Sequence, residues 1–263
     1  MHMQNNLQTI IEKQYALVQR EVEVFTPLAR KIVADLAQYL ELVKTWTTKV
    51  DLVSMQSDEM LVSRHIIDCV CAGKVIASLG IDPKLSFADV GSGAGLPGII
   101  LALLDRERKV HLIEPRKKRC GFLQETKQQL GLENVEIHEI DFAGFAARYR
   151  MNHAANAAKN SSSRSKGRSM DDDDSSDIVK NESKAAMDKG IGLIIARAIG
   201  MRERYLKQAW KLVNKNGFVA EMLGAKLPDI DKIDSAWLYS TYNFTLPPDG
   251  AKRTLWFWGK KRG

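Results

Sequence analysis

The sequence predicts an α/β fold in which a largely parallel sheet follows an N-terminal helical extension. Three observations predict it: apolar residues at helical spacing before residue 80, alternation of strands and helices from Leu85 onward, and a glycine-rich turn after the first strand. We expect residues 1–80 to form the helical extension and residues 81–263 to form the domain that contains the sheet.

The extension contains two clear helical signals. Apolar residues recur at steps of three and four along one stripe, formed by Leu28, Ile32, Val33, Leu36, Leu40 and Val43. A second helix is expected to begin near Ser57 or Asp58, since either residue is a good N-cap. This helix carries His65 and Asp68, whose spacing of three residues places both on one face.

The remaining elements follow from changes in apolar periodicity. Strands are predicted at 85–90, 109–113, 134–138, 191–196, and near 216–222, 239–245 and 252–259, with helices near 96–104, 117–131 and 201–214. Pro247–Gly250 separate the last two strands, which favours an antiparallel hairpin at the sheet edge. Trp256 and Trp258 share one strand face and are expected in the core. Residues 152–188 are polar and lack apolar periodicity, which predicts a disordered insertion.

The composition of the chain indicates which kinds of partner and site to expect. The chain has 263 residues, a net charge of +7 and no apolar run of the ~20 residues that a membrane span needs, so a polyanionic partner is favoured over a membrane. Cys69, Cys71 and Cys120 match neither a disulfide framework nor a zinc spacing, which indicates reduced cysteines in the cytoplasm. We expect no metal site.

The glycine-rich turn carries the strongest functional signal. Gly91, Gly93 and Gly95 lie between a strand and a helix, where glycine permits positive φ and close approach of a ligand to the backbone. A dinucleotide fingerprint would need a further glycine at Leu96. Asp89 would repel a pyrophosphate but accept hydrogen bonds from an ammonium or a bound water. The loop therefore favours S-adenosylmethionine over NAD, and an NAD-dependent oxidoreductase remains an alternative.

Further candidate residues follow the second and fourth strands. Glu114 lies about 20 residues beyond the glycine turn, where an acid typically binds ribose hydroxyls in both cofactor classes. Arg197 ends the fourth strand and is predicted to line the site. Lys117, Lys118 and Arg119 begin a helix, where a basic turn forms either a solvated face or an RNA contact.

Five separate motifs lie within residues 28–260: Arg64-His-Ile-Ile-Asp68, Asp89-Val-Gly-Ser-Gly-Ala-Gly-Leu-Pro-Gly98, Lys118-Arg-Cys-Gly-Phe-Leu123, Ala196-Arg-Ala198 and Lys252-Arg253. Together they resemble the RsmG (GidB) family of bacterial 16S rRNA guanine-N7 methyltransferases. The resemblance implies a Rossmann-like class I methyltransferase sheet with a helical cap, S-adenosylmethionine as donor, and 16S rRNA or the small ribosomal subunit as partner. We expect the chain to be a monomer.

The resemblance also assigns site residues. Its cofactor contacts fall on Gly91, Leu96, Phe142, Ala143 and Arg197. Asp141 and Ala143 stand where the family usually has an Arg and a Glu, and we include Asp141 among the expected cofactor contacts. These departures leave room for a non-catalytic RNA-binding assembly factor, and methylation of a small molecule is a further alternative.

Guanine N7 has a free lone pair and carries no proton, so it needs no general base to attack the methyl group. Catalysis is then expected to depend on positioning. Arg197, His65 and Asp68 are the candidate catalytic residues, although His65 and Asp68 could equally form a structural pair that holds the extension against the core.

Overall fold

The computed structural model describes residues 2–20, 26–152, 190–197, 202–224 and 237–260. Most of the predicted insertion, from residue 153 onward, lies outside the described residues, as do Ala198 and the tail at 261–263.

The described helices include one that the sequence analysis did not predict. The helices are α1 His2–Gln19, α2 Arg30–Thr47, α3 Asp58–Leu61, a π-helical turn at Val62–Ile67, α4 Asp68–Ser78, α5 Gly98–Leu104, α6 Lys117–Gln129, α7 at 142–152 and α8 Arg202–Leu212. The unpredicted helix is α7, since the sequence analysis predicted no helix between the third strand and the insertion. Asp141 accounts for its start, since its Oδ1 accepts a hydrogen bond of 2.7 Å from the amide of Gly144.

Seven strands form one sheet, as the sequence predicts. They are β1 Ser86–Val90, β2 Val110–Ile113, β3 Val135–His138, β4 Ile191–Arg197, β5 Val213–Leu223, β6 Trp237–Leu246 and β7 Ala251–Lys260. Their order is β3-β2-β1-β4-β5-β7-β6. Strands β1 to β5 are parallel, whereas β7 pairs antiparallel with both β5 and β6. The hairpin predicted around Pro247–Gly250 is therefore confirmed, and β6 and β3 are the two edge strands.

Helices cover both faces of the sheet. One buried cluster joins α1, α2, α4, α5 and α6 to side chains such as Leu112, Leu193 and Phe257. A second cluster places α7 and α8 against the other face, where Trp256 and Trp258 are buried as expected. The sheet is thus the middle of three layers, and the N-terminal helices share a core with it.

The second helix predicted in the extension begins where the sequence indicates. Ser57 is the N-cap of α3, and its Oγ accepts a hydrogen bond of 3.4 Å from the amide of Met60. The following turn is π-helical and includes His65, a detail that periodicity does not reveal. Within the described ranges, every helix is too short or too polar to traverse a lipid bilayer.

Candidate functional site

The predicted site residues gather at one edge of the sheet. Strands β1, β2, β3 and β4 are parallel neighbours, so their carboxyl ends open on the same side. The glycine turn follows β1, Glu114 follows β2, residues 141–143 follow β3, and Arg197 ends β4. Open α/β sheets bind ligands at this edge, in the crevice where the strand order reverses.

The three glycines of the turn adopt the backbone conformation that the sequence predicts. Gly91, Gly93 and Gly95 have φ values of 73°, 54° and 83°. A Cβ at Gly95 would overlap Ile99 and meet Leu123 at 3.0 Å, so this glycine is needed for packing. A Cβ at Gly91 would meet nothing within 4 Å, and the residue is exposed. Gly91 therefore offers an accessible stretch of backbone to a ligand.

Asp89 lies beneath the glycine turn. Its carboxyl is buried, and Oδ2 accepts a hydrogen bond of 3.0 Å from the amide of Gly98, the first residue of α5. Burial raises the pKa of Asp89 to about 7. The hydrogen bond to Gly98 fixes the start of α5 beneath the glycine turn. A contact between Asp89 and a cofactor stays a prediction.

Glu114 holds the glycine turn through its carboxylate. Oε2 accepts from the amide of Gly93 at 2.9 Å, and Oε1 accepts from the amide of Arg116 at 2.9 Å. Each carboxylate oxygen has a second lone pair, so these bonds leave acceptor capacity for a ligand hydroxyl. The turn and Glu114 therefore form one connected unit.

The extension also holds the turn. The hydroxyl of Tyr39, buried on α2, donates a hydrogen bond of 2.6 Å to the carbonyl of Ala94. Arg119 on α6 donates to the carbonyl of Asp51 at 2.8 Å. Sequence reasoning missed Tyr39, because nothing in an amphipathic stripe shows which buried tyrosine reaches a distant loop.

The three candidate residues after β3 have different contacts and different degrees of burial. Asp141 caps α7 as described above, Phe142 packs 5.9 Å from the ring of Tyr205, and Ala143 is half-buried. Leu96 is buried in the core beneath the turn. These residues lie at the predicted edge, and their contact with a cofactor stays a prediction.

The three candidate catalytic residues lie together. Arg197 Nη2 donates to the carbonyl of Arg64 at 2.7 Å and lies 3.2 Å from Asp68 Oδ2, while its Nη1 lies 3.5 Å from His65 Nδ1. Arg253 Nε also lies 3.3 Å from Asp68 Oδ2. Sequence reasoning named Arg253 only as part of the Lys252-Arg253 motif, because the pairing of β7 with β5 that brings it here is not visible in the sequence.

Burial and charge set the protonation of this cluster. The pKa of His65 is lowered to about 4, mainly by burial and further by three positive charges, those of Arg197, Arg64 and Arg253. The ring of His65 is therefore neutral at pH 7. Burial raises the pKa of Asp68, an effect that Arg197 and Arg253 oppose. The cluster therefore presents a neutral imidazole beside two guanidinium groups that share one carboxyl.

Comparison with known sequences shows which family part of the chain resembles. The model of the family described as rRNA small subunit methyltransferase G (GidB) matches residues 32–151. Those residues, which are less than half of the chain, are similar to this family. The match is shorter than the range 28–260 expected from the motifs, and it ends where the polar segment begins. It covers α2 to α7 and therefore includes the glycine turn, His65 and Asp68.

Individual proteins with the same description also match the sequence. The ribosomal RNA small subunit methyltransferase G of Nitrosospira multiformis is 40% identical over 107 residues, which is 40% of this chain and 45% of that protein. Its namesake from Dichelobacter nodosus is 34% identical over 111 residues, covering 42% and 50%. The chain thus spans about half the length of the curated relatives it matches.

Solved structures agree with the fold. A candidate O-methyltransferase from Klebsiella pneumoniae superposes with a TM-score of 0.51 at 10% identity, over 95% of this chain and 99% of that chain. A protein from Corynebacterium glutamicum gives 0.50 at 12% identity, over 94% and 98%. The chain has the Rossmann-like sheet of class I methyltransferases, as the resemblance implied.

Proposed function

We propose that the chain is an S-adenosylmethionine-dependent methyltransferase that modifies guanine N7 in 16S rRNA, acting as a cytoplasmic monomer with residues 1–80 as its cap. One observation carries the proposal: the glycine turn and Glu114 form a hydrogen-bonded unit at the ligand edge of the sheet, within the segment that is similar to the family. The relatives act on small-subunit rRNA by name, and the choice of guanine N7 rests on the resemblance.

The site suits a cofactor that contains a nucleoside. Glu114 contacts the turn directly, and its carboxylate suits the ribose hydroxyls that both cofactor classes carry. The sheet order differs from the 3-2-1-4-5-6 order of dinucleotide-binding domains, because antiparallel β7 lies between β5 and β6. The sheet order therefore supports S-adenosylmethionine over NAD. The backbone of Gly91 would contact the cofactor, and the loop at 141–143 would lie beside the adenine.

Methyl transfer at this site needs no proton acceptor. The N7 lone pair forms the new carbon–nitrogen bond as the carbon–sulfur bond breaks, and the positive charge moves from sulfur to the purine. Because the pKa of His65 is lowered to about 4, its neutral ring suits orientation of the base through hydrogen bonds. Arg197 and Asp68 would hold that ring in place, since Arg197 contacts His65 and Asp68 contacts Arg197.

A matched pair of glycine variants tests cofactor binding. Gly91 and Gly131 are both exposed, have φ values of 73° and 58°, and leave open space around an added Cβ. Aspartate tolerates this conformation better than most residues, so Gly91→Asp and Gly131→Asp carry similar strain. Calorimetry should show that Gly91→Asp binds S-adenosylmethionine at least about tenfold more weakly than the wild type, whereas Gly131→Asp binds normally. Equal binding by all three proteins would contradict the assigned cofactor site.

Radiolabelled methyl transfer tests the reaction. Purified protein, labelled S-adenosylmethionine and either naked 16S rRNA or small subunits should yield 7-methylguanosine. Cofactor binding without transfer to either substrate would favour the assembly-factor alternative.

A further inference from the structure

A second cluster of chemistry-bearing side chains lies on the sheet away from the Arg197 cluster. His111 is on β2, and Glu136 and His138 are on β3. His111 is the register partner of Glu136, and alternate residues of a strand share a face, so all three side chains lie on the face covered by α7. His111 is buried, His138 is partly buried, and Glu136 is exposed at the edge strand.

The ligand atoms of these residues converge. His111 Nδ1 lies 3.0 Å from His138 Nε2. Glu136 Oε2 lies 3.7 Å from His111 Nδ1, and Oε1 lies 3.8 Å from His138 Nε2. Ligand atoms of a tetrahedral zinc ion, with bonds of about 2.0–2.1 Å, are about 3.3 Å apart. The observed separations lie on either side of that value.

We propose that His111, Glu136 and His138 form a binding site for a divalent transition-metal ion such as zinc. Two imidazoles and one carboxylate are a ligand set that zinc accepts, and the exposed side of Glu136 leaves a fourth position for water. The two ring nitrogens face one another, so without a metal one must carry a proton that the other accepts. Metal binding replaces that proton and uses both lone pairs.

The surroundings support a metal site. Lys109 Nζ lies 2.7 Å from Glu136 Oε2 and so orients the carboxylate. The ring of Phe145 on α7 lies 4.8 Å from that of His138 and 5.6 Å from that of His111, and it covers the pair from one side. Sequence analysis expected no metal site, because the ligands come from two strands and meet only through the parallel register.

The site would also have a structural consequence for the loop that follows β3. His138 is the last residue of β3, three residues before Asp141, so an ion bound there would tie the end of the edge strand to β2. This inference does not depend on the proposed methyl transfer, because zinc binding is measured without cofactor or RNA.

Zinc titration of the full chain tests the site. The protein is first treated with a chelator, and zinc chloride is then added in a calorimeter, with cobalt(II) absorption as a second readout of coordination geometry. The wild type should bind one zinc ion per chain. Glu136→Gln and His138→Gln should each weaken binding about tenfold or more.

Two controls keep the result decisive. Glu136 is exposed, so Glu136→Gln retains the fold even if His138→Gln does not, and circular dichroism checks both. His65→Gln removes a histidine outside the cluster and should bind zinc like the wild type. A wild type that binds no zinc would overturn the proposal, as would a Glu136→Gln variant with unchanged affinity. Loss of binding in His65→Gln alone would place the metal elsewhere.

Discussion

Replacing Asp89 by asparagine tests the electrostatics beneath the glycine turn. Burial raises the pKa of this carboxyl from 3.8 to about 7 in the folded protein. In the unfolded chain water restores the ordinary value. Between these two pKa values the folded state holds a proton on Asp89 that the unfolded state has released.

The free energy of unfolding contributed by Asp89 must therefore fall as pH rises through this window, since the unfolded state binds fewer protons. With ~1.4 kcal/mol for each unit, the loss between pH 5 and pH 7 is about 2 kcal/mol. His65 acts in the opposite sense: its pKa is lowered to about 4 in the fold, so its contribution rises with pH up to its ordinary 6.5. That contribution is present in both proteins and cancels in their difference.

Urea unfolding measures the difference in the free energy of unfolding between the wild type and Asp89→Asn. Tryptophan fluorescence follows the unfolding at pH 5, 6 and 7. The wild type should lose about 2 kcal/mol relative to the variant from pH 5 to pH 7. Glu107→Gln, which removes an exposed carboxylate, serves as the control for a change in surface charge. A difference between wild type and Asp89→Asn that does not vary with pH would refute the reasoning.

Three further substitutions probe the residues that hold the site. Tyr39→Phe removes the hydrogen bond to Ala94 and should lower the free energy of unfolding by about 1 kcal/mol while weakening cofactor binding in calorimetry; unchanged affinity would separate Tyr39 from the turn. Gly98→Ala places a Cβ that overlaps Leu112 and lies 2.7 Å from Asp89 Oδ2, so urea unfolding should show a loss of about 1–3 kcal/mol, whereas Gly224→Ala, with open space, should be close to neutral. Asp68→Asn leaves Arg197 and Arg253 without their shared carboxyl and should cost about 3 kcal/mol; a neutral effect in the same assay would mean that the cluster is not held by this carboxyl.

The sequence predicts those features that local patterns determine. The positive φ of Gly91, Gly93 and Gly95 follows from glycine at positions where the chain reverses between strand and helix. The hairpin of β6 and β7 follows from a short connection rich in turn residues. These features depend on neighbours in the chain and need no knowledge of the tertiary fold.

Features that depend on contacts between distant segments could not be predicted in the same way. The buried carboxyl of Asp89 accepts a hydrogen bond from the amide of Gly98, and no local pattern in the sequence predicts this contact. Arg253 joins Asp68 only because β7 returns antiparallel beside β5. The start of α7 depends on Asp141, which was interpreted as a cofactor contact and not as a helix cap.

Mapping 7-methylguanosine in 16S rRNA from cells with and without this gene tests the central claim most directly. Loss of one modified guanine in the deletion strain is predicted, with recovery on expression of the wild type or Gly131→Asp but not of Gly91→Asp. An unchanged modification profile in the deletion strain would contradict the proposed methylation of 16S rRNA.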